Sequence, residues 1–424
     1  MNKQKIFIFT FIFILTGFCS FALSKDDELI RAAEGGNVTR VRQLLNEGAY
    51  IEARDGRDRQ TALVFASNEG HLEIVRILIE NKANINAQDD RGWTALSEAS
   101  YMGRTAVVEY LLSKNASTLY STNWHNSNES GNALFWCVYS WHNTLSQKIQ
   151  IVKLLLMYNA EPEGRDKLGR DTIKIAEDNN YSEILAMLRE YKAKKEKEKI
   201  EYQLLSAIRE QDEPNVKRLL GLKANPNLQL DNGESLLNYA VYTQNINIVR
   251  ILLESGANVN YKNLLGISPL MKAARLENIA IVNLLIDRGA NINDIDNNGR
   301  TALFYAVENN NQTILTRLIS AGISINTNDR NGSNVLIHAC TQSNMPAVQY
   351  LLNNGARVTS RDIAGNTPLL IAAQKGNFDM VRFIMTKNAD PFITNRSGNN
   401  ALDYAKRNGN QQMIEYFERI FNAY

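Results

Sequence analysis

Cysteine is scarce in this chain of 424 residues, which has only three cysteines. So few cysteines exclude the disulfide framework that stabilises many small secreted proteins. Cys137 and Cys340 lie far apart, and each takes a small-residue position of a predicted helix, shortly after a leucine. This placement predicts two buried free thiols. The protein must therefore rely on an apolar core for its stability.

Charge of one sign is not in excess either, since the whole chain has a formal net charge of +2. Lys3 and Lys5 lie in the segment 1–24, which contains no acidic residue, so the charge of the remainder falls to 0. A neutral chain argues against nucleic acid as the main partner. Long hydrophobic runs are also missing after residue 24, so no transmembrane helix is predicted there.

Motifs of enzymes and of metal sites are missing from the sequence. Its four histidines have no metal-ligand spacing with one another or with cysteine. No glycine-rich phosphate loop, Cys-x-x-Cys pair or His-Glu-x-x-His motif is present. The segment 266–270, Gly-Ile-Ser-Pro-Leu, begins like the nucleophile elbow of a hydrolase but lacks its second glycine. We therefore predict no catalytic residue, no metal ligand and no cofactor.

The segment 1–24 has the features of a secretory signal peptide. A basic start is followed by an almost uninterrupted apolar run from Ile6 to Phe18, and by small residues at the positions that a signal peptidase reads, Ala22 and Ser24. The run is short for a bilayer span. We predict cleavage after Ser24 and export from a bacterium, to the periplasm or as a secreted protein. The alternatives are an uncleaved anchor and lipidation of Cys19, although bulky Phe18 precedes it.

What the chain does contain is one motif at a fixed interval. Residues 365–398 show it in full: a turn glycine, Thr367-Pro368 at a helix start, a leucine, two alanines and a second amphipathic helix. The leucine recurs at one constant interval, at Leu204, Leu237, Leu270, Leu303, Leu336, Leu369 and Leu402. The turn glycine recurs at Gly233, Gly266, Gly299, Gly332, Gly365 and Gly398. One helix pair cannot bury its own apolar face, so copies must stack on both sides.

This constant period, with a Gly-x-Thr-Pro-Leu turn, an Ala-Ala pair and a Gly-Ala ending, closely resembles the ankyrin repeat. The resemblance implies an all-α solenoid whose units bind other proteins through their finger tips and concave helical face. A non-enzymatic scaffold for protein partners is thus expected, as a monomer and without a membrane attachment after cleavage. The alternatives are a structural, self-assembling solenoid and a secreted effector that acts on another cell.

The array is expected to form two stacks of about twelve repeats. Five further anchors define a first stack at residues 25–192: Leu29, Leu63, Leu96, Leu134 and Ile173. Seven units fill a second stack at residues 202–424. Leu204 follows Ile173 at less than one full period, across a mixed run of lysine and glutamate at 193–201, which leaves no room for a hairpin. We therefore predict one charged helix from about Ser182 to about Arg209 that joins the stacks.

The fourth repeat is irregular, because Leu134 lies more than one full period from the anchors on both sides of it. The extra residues fall around Trp124 to Ser130 and around Trp141 to Gln147. Insertions in repeat arrays map to loops, often on the binding face, although neutral drift in a surface loop is the alternative.

Lys82 and Lys223 depart from the family pattern in another way. Each replaces the glycine that usually ends a second helix. Lysine tolerates the left-handed conformation poorly, so looser helix ends are expected at both positions.

The candidate binding site follows from the aromatic residues around the insertions, since all four tryptophans lie between residues 93 and 141. Trp93 follows a turn glycine and is expected to point along a finger. Tryptophan and tyrosine dominate interface hot spots. The predicted partner-binding residues are Trp93, Tyr101, Met102, Tyr139, Trp124 and Trp141. Trp136 is instead expected to pack onto the stack, and packing of Trp141 there is the alternative to partner contact.

Overall fold

The structure, a computed structural model, describes residues 24–123 and 129–422. The predicted signal peptide up to Leu23, with Cys19, and the site residue Trp124 lie outside the described residues. Within them the chain forms 23 helices, and these make twelve helix pairs. None of these helices combines the length and the apolar character that a membrane span needs.

The chain divides into two compact units, Met1–Lys195 and Glu196–Tyr424. The first unit holds five helix pairs and a small sheet. Its elements are α1 (Lys25–Glu34), α2 (Val38–Asn46), α3 (Ala62–Glu69), α4 (Leu72–Glu80), α5 (Ala95–Tyr101), α6 (Thr105–Ser113), β1 (Thr122–Asn123), β2 (Ser130–Gly131), α7 (Ala133–Tyr139), α8 (Leu145–Met157), β3 (Gly164–Arg165), α9 (Thr172–Asp178) and the start of α10 (Ser182–Glu210).

The second unit holds seven helix pairs, the first of which is the end of α10 with α11. Its further elements are α11 (Glu213–Gly221), α12 (Leu236–Thr243), α13 (Ile246–Glu254), α14 (Pro269–Arg275), α15 (Ile279–Asp287), α16 (Ala302–Glu308), α17 (Gln312–Ser320), α18 (Val335–Thr341), α19 (Met345–Asn353), α20 (Pro368–Gln374), α21 (Phe378–Met385), α22 (Ala401–Arg407) and α23 (Gln411–Phe421). The all-α fold of about twelve helix pairs is confirmed.

Helix α10 is 29 residues long, and the boundary between the units falls inside it. Its bounds, Ser182–Glu210, agree with the single helix expected from the spacing of Ile173 and Leu204. Lys197 and Glu201 pair across one turn of this helix, at 3.8 Å between Nζ and Oε1. An exposed pair of this kind contributes little energy, so the charged run mainly keeps the helix solvated.

Capping side chains determine where the helices of each pair begin. The side-chain oxygen of Thr367 accepts from the backbone N–H of Leu370 at the start of α20. A side-chain oxygen caps the first helix of several other pairs in the same way. In most pairs asparagine caps the second helix, and Asn377 accepts from Met380 N–H at the start of α21. Each cap satisfies a helix-start donor that has no partner within the helix.

Left-handed residues determine where the second helices end. Gly256, with φ of 90°, and Asn388, with φ of 59°, take this conformation shortly after α13 and α21. Lys82 and Lys223 take it too, with φ of 68° and 67°. Lysine carries a Cβ that makes this region unfavourable, so both positions are conformationally strained. The expectation of looser ends stays a prediction.

The anchor leucines form the apolar core of each unit. Leu29, Leu134, Leu204 and Leu303 are fully buried in four different pairs. Ile173 and Leu402 are only half-buried, and each lies on the first helix of the last pair in its unit. The core of a repeat is therefore completed by its neighbour, as stacking requires.

A three-stranded antiparallel sheet in the fourth and fifth pairs was not predicted. Thr122 pairs with Gly131, and Gly131 pairs with Gly164. A Cβ at Gly131 or at Gly164 would overlap the ring of Phe135, so only glycine lets these strands approach α7. The sheet packs against the N-terminal part of α7, and its Thr122 hydroxyl and Gly131 carbonyl accept from the indole N–H of Trp136.

Candidate functional site

The site is built around the C-terminal end of α7, where the chain leaves the helix into the second insertion. Ser140 has extended backbone angles, φ of −54° and ψ of 141°, so the helix stops there. Its hydroxyl donates to the carbonyl oxygen of Tyr101 on α5, at 2.5 Å. The side-chain amide of Asn143 donates to the carbonyl oxygen of Ser100, at 2.9 Å. These two bonds attach the segment 140–143 to the preceding repeat.

Lys148 holds the other side of this segment. Its ammonium group donates to the carbonyl oxygens of Cys137, at 3.1 Å, and Val138, at 2.9 Å, and also to that of Ser140. The last carbonyls of a helix have no partner within it and carry partial negative charge, so a cation is favoured there. The side chain of Lys148 is only 2% exposed. Burial lowers the pKa of this ammonium group to about 8.

Lys148 was missed in the sequence, although a signal for it exists. It precedes the buried residues Ile151, Val152 and Leu155 at helical spacing, and so lies on the inward face of α8. A lysine at such a position needs acceptors in the core. The nearby thiol of Cys137 is buried as well, and burial raises its pKa to about 12. Both Cys137 and Cys340 are buried free thiols, as predicted.

Three of the large aromatic side chains form a buried cluster. Trp93, Tyr101 and Trp136 are 1%, 6% and 0% exposed. The ring centroids of Trp93 and Trp136 are 5.0 Å apart, and those of Trp93 and Tyr101 are 5.6 Å apart in an edge-on arrangement. The indole N–H of Trp136 donates to the Gly131 carbonyl, at 2.8 Å, and to the hydroxyl of Thr122. Trp136 packs in the core as expected.

The burial of Trp93 and Tyr101 corrects part of the expected site. A ring that is 1% or 6% exposed offers no surface to a partner. Trp93 does not point along the finger, because its ring packs against those of Tyr101 and Trp136. Both side chains contribute to the core, so replacing either should lower the stability of the first unit.

Trp141, by contrast, is 80% exposed. Its ring centroid lies 4.1 Å from that of His142, and its indole N–H donates to the hydroxyl of Tyr101, at 2.9 Å. Met102 and Tyr139 are half-buried and lie, like Trp141, at the C-terminal ends of the neighbouring helices α5 and α7. We call Met102, Tyr139, Trp141 and His142 the Trp141 patch. It brings together three of the predicted partner-binding residues.

Carboxylates beside the patch are held by internal hydrogen bonds. Glu129 accepts from the hydroxyl of Tyr139, at 2.7 Å. Burial, and then this bond, raise the pKa of Tyr139 to about 12, so the phenol keeps its proton. Glu98, on α5, accepts from the side-chain amide of Asn68 at 2.9 Å, and burial raises its pKa. These groups position the helix ends and leave the exposed rings as the contact surface.

The tips of the loops that precede α3 and α5 carry charges that cancel one another. Arg59 lies 3.5 Å from Asp90, and Arg91 lies 3.6 Å from Asp58, each measured between side-chain nitrogen and oxygen. Arg91 also pairs with Asp89 at 3.0 Å. The charges of these finger tips are therefore paired within the loops themselves.

Side chains that could bind a metal are dispersed. Across residues 24–123 and 129–422, no group of three or more His, Cys, Asp or Glu side chains is arranged to hold a metal ion. The serine of the segment 266–270 caps α14, where its hydroxyl accepts from Met271 N–H at 3.3 Å. That contact is structural.

Comparison with known proteins assigns the fold to a family. A family model described as ankyrin repeats, in three copies, matches residues 29–123, 204–296, 293–362 and 336–418. These matches cover more than half of the chain, and they include both units.

Curated proteins with ankyrin repeats match shorter stretches. The chain is 35% identical over 91 residues to the ankyrin repeat and SAM domain-containing protein 6 of Mus musculus, a match that spans 21% of this chain and 10% of that protein. It is 33% identical over 91 residues to the 26S proteasome non-ATPase regulatory subunit 10 of Dictyostelium discoideum, spanning 21% of this chain and 39% of that protein. The chain thus covers well under half of either relative.

Among solved structures, the chain is similar to the ankyrin repeat domain of Bcl-3, a member of the IkappaB protein family. The match has a TM-score of 0.47 at 25% identity and covers 51% of this chain and 97% of that one.

Proposed function

The chain belongs to the ankyrin repeat family, and we propose that it is a non-enzymatic scaffold that binds a protein partner through the Trp141 patch. Ankyrin repeats indicate a protein–protein interaction scaffold. The assignment of partner binding to the Trp141 patch rests on the exposure of Trp141. Its large ring is 80% accessible and is held in place by a hydrogen bond from its own N–H.

The exposed indole of Trp141 offers a partner a large contact area that is already ordered. A tryptophan supplies a large apolar contact surface and dominates many interfaces. The bond to Tyr101 and the ring of His142 restrict the indole before a partner arrives, so less conformational entropy is lost on binding. The buried rings of Trp93 and Trp136 form a rigid base beneath it. Partner contact by Met102 and Tyr139 belongs to the same proposal, and Trp124 lies outside the described residues.

The proposed place of action is outside the bacterial cytoplasm, in the periplasm or beyond. Support for this comes from the segment 1–24 alone, with its basic start, apolar run and small residues before Lys25. N-terminal sequencing of the exported protein should give Lys25 as the first residue. A lipidated Cys19 at the N-terminus would contradict this cleavage. Fractionation of cells and medium separates a periplasmic scaffold from a secreted effector.

The binding proposal is tested with the chain from Lys25 to Tyr424 as bait. Cross-linking in a periplasmic extract, followed by mass spectrometry, identifies the captured protein, and titration calorimetry then measures its affinity. Trp141→Ala should weaken binding, whereas the matched control Tyr50→Ala, which removes another exposed ring (61%) of the first unit, should not. Equal binding by wild type and Trp141→Ala would remove the patch from the proposal. Light scattering of the bait alone tests the alternative of self-assembly.

A further inference from the structure

The tips of the loops that precede α16, α18, α20 and α22 are finger tips of the second unit. They form a row that is connected by backbone hydrogen bonds. The N–H of Arg330 donates to the Asn298 carbonyl at 2.8 Å, and the N–H of Arg396 donates to the Ala364 carbonyl at 2.9 Å. The N–H of Ile363 donates in the same way to the Asn331 carbonyl of the preceding tip, also at 2.9 Å. Successive tips therefore lie side by side, at about the 8–10 Å spacing of packed helices. Arg330, Ile363 and Arg396 occupy equivalent positions along this row.

The stretch of chain that holds the row carries more exposed basic than acidic side chains. Among residues 330–409 the exposed charged side chains comprise eight basic residues and two acidic ones. The basic residues are Arg330, Arg357, Arg361, Lys375, Arg382, Arg396, Lys406 and Arg407. The acidic residues are Asp379 and Asp390. The imbalance is local, because the chain after residue 24 has no net charge.

The acidic residues of these tips are already engaged with the backbone. One carboxylate oxygen of Asp329 accepts from the N–H groups of Asn331, at 2.8 Å, and Ser333, at 2.9 Å. Asp362 accepts in the same way from Asn366 N–H, at 2.7 Å. Within the described residues, Arg330, Arg361 and Arg396 form no ion pair. The loop tips before α3 and α5 differ, since Arg59 and Arg91 there pair with Asp90 and Asp58.

We propose that this row, Arg330, Ile363 and Arg396, with Arg361 two residues before Ile363, binds an extended acidic segment of a partner protein. Two repeats separate Arg330 from Arg396, which is about 20 Å at the packing distance of helices. An extended chain covers that distance with about six residues. Its carboxylates would form bidentate pairs with the guanidinium groups. Ile363, which is 54% exposed, lies between the two arginines and would take one apolar side chain.

A protein segment fits this row better than a nucleic acid. Duplex DNA presents a charge about every 1.7 Å along its axis and is held by dense phosphate contacts. Here the guanidinium groups are a whole repeat or more apart. The exposed isoleucine has no role in phosphate binding.

This inference deepens the proposed protein-binding role, on which it rests, but it uses a surface in the other unit. The probe is a fluorescein-labelled twelve-residue peptide of alternating glutamate and glycine with one central leucine. Its anisotropy is measured with the chain from Lys25 to Tyr424 at low salt. Two comparison ligands are measured in the same way: a peptide with glutamine in place of glutamate, and a single-stranded oligonucleotide. Arg330→Gln/Arg396→Gln is the test variant, and Arg382→Gln, on the second helix α21, is the matched control.

We expect the acidic peptide to bind, the glutamine peptide to bind at least about tenfold more weakly, and the double variant to lose at least about tenfold in affinity. Arg382→Gln should stay within about twofold of wild type, and raising the salt should weaken binding. Absence of peptide binding, equal binding by the double variant, or tighter binding of the oligonucleotide would each overturn the proposal. Circular dichroism confirms that the variants fold. Trp141→Ala should bind this peptide normally, so a failed Trp141 patch and a failed arginine row are told apart.

Discussion

The indole N–H of Trp141 donates to the phenolic oxygen of Tyr101 across 2.9 Å, and this bond joins an exposed ring to a buried one. Tyr101 is 6% exposed and lies against Trp93 and Trp136, whereas Trp141 is 80% exposed. The aromatic residues that the sequence groups together therefore have two separate roles. One set stabilises the first unit, and the other is available to a partner.

Replacing Trp141 should affect binding and leave folding intact. We expect Trp141→Ala to cost about 2 kcal/mol or more in affinity for the captured partner, the range of interface hot spots. Its free energy of unfolding should change by no more than about 0.5 kcal/mol, as at other exposed sites. Titration calorimetry and urea denaturation measure the two quantities. A large loss of stability would show that Trp141 packs onto the stack instead.

Replacing Trp93 should have the reverse effect. Trp93→Ala removes a buried ring from contact with Tyr101 and Trp136, and we expect it to cost about 3–5 kcal/mol in the free energy of unfolding. Urea denaturation followed by circular dichroism measures this loss. The control is Tyr242→Ala, which removes a ring that is 61% exposed and should cost little. A Trp93→Ala protein as stable as wild type would contradict the buried cluster.

Lys148 should make the stability of the first unit depend on pH. Burial lowers its pKa in the folded state from 10.5 to about 8, so between these values the unfolded chain binds more protons. The free energy of unfolding should then rise with pH across this window, by about 1–3 kcal/mol in total. Lys148→Met removes this dependence and also leaves three carbonyls without their donor, so it should be less stable overall.

The comparison with Lys148→Met isolates this effect from other groups. Tyrosines with raised pKa values, such as Tyr139, lower stability at strongly alkaline pH in both proteins. Their contribution therefore cancels when the free energy of unfolding of Lys148→Met is subtracted from that of wild type. Lys153→Met is the matched control, because Lys153 lies on the same helix α8 and is exposed. A difference between wild type and Lys148→Met that stays constant across the window between the two pKa values would contradict the assignment.

The two left-handed lysines should be sites where glycine stabilises. Lys82 and Lys223 have φ of 68° and 67°, a region that costs a residue with a Cβ about 1 kcal/mol. We expect Lys82→Gly and Lys223→Gly each to raise the free energy of unfolding by about 0.5–1 kcal/mol. Lys82→Ala keeps the Cβ and should give no such gain. Thermal denaturation measures all three, and destabilisation by glycine would show that the lysine side chains make a compensating contact.

The two units are predicted to fold independently. Each has its own apolar core, and the boundary between them lies in the charged helix α10. Expressed separately, residues 25–195 and 200–424 should each unfold in a cooperative transition when followed by circular dichroism. Failure of both fragments to do so would mean that the units need each other.

The sequence by itself determined the repeating architecture. Leucine at a constant interval, with a turn glycine before most copies, specifies helix pairs and their stacking, because these signals are local and recur. The shortened interval between Ile173 and Leu204 was enough to predict the single helix α10. The position of Trp136 in the core also followed from its place shortly after an anchor leucine.

Only the tertiary structure decided which aromatic rings are buried. Trp93 follows a turn glycine, as an exposed tip residue would, but the ring of Trp136 from the next repeat covers it, at 5.0 Å between centroids. The acceptors of Lys148 were likewise decided by the tertiary structure, because the end of α7 places three carbonyl oxygens around its ammonium group. Burial of Trp93 depends on a side chain of the next repeat, and the acceptors of Lys148 depend on where α7 ends within its own repeat. A repeat period carries no information about either, because both are determined by the fourth repeat, which departs from the period.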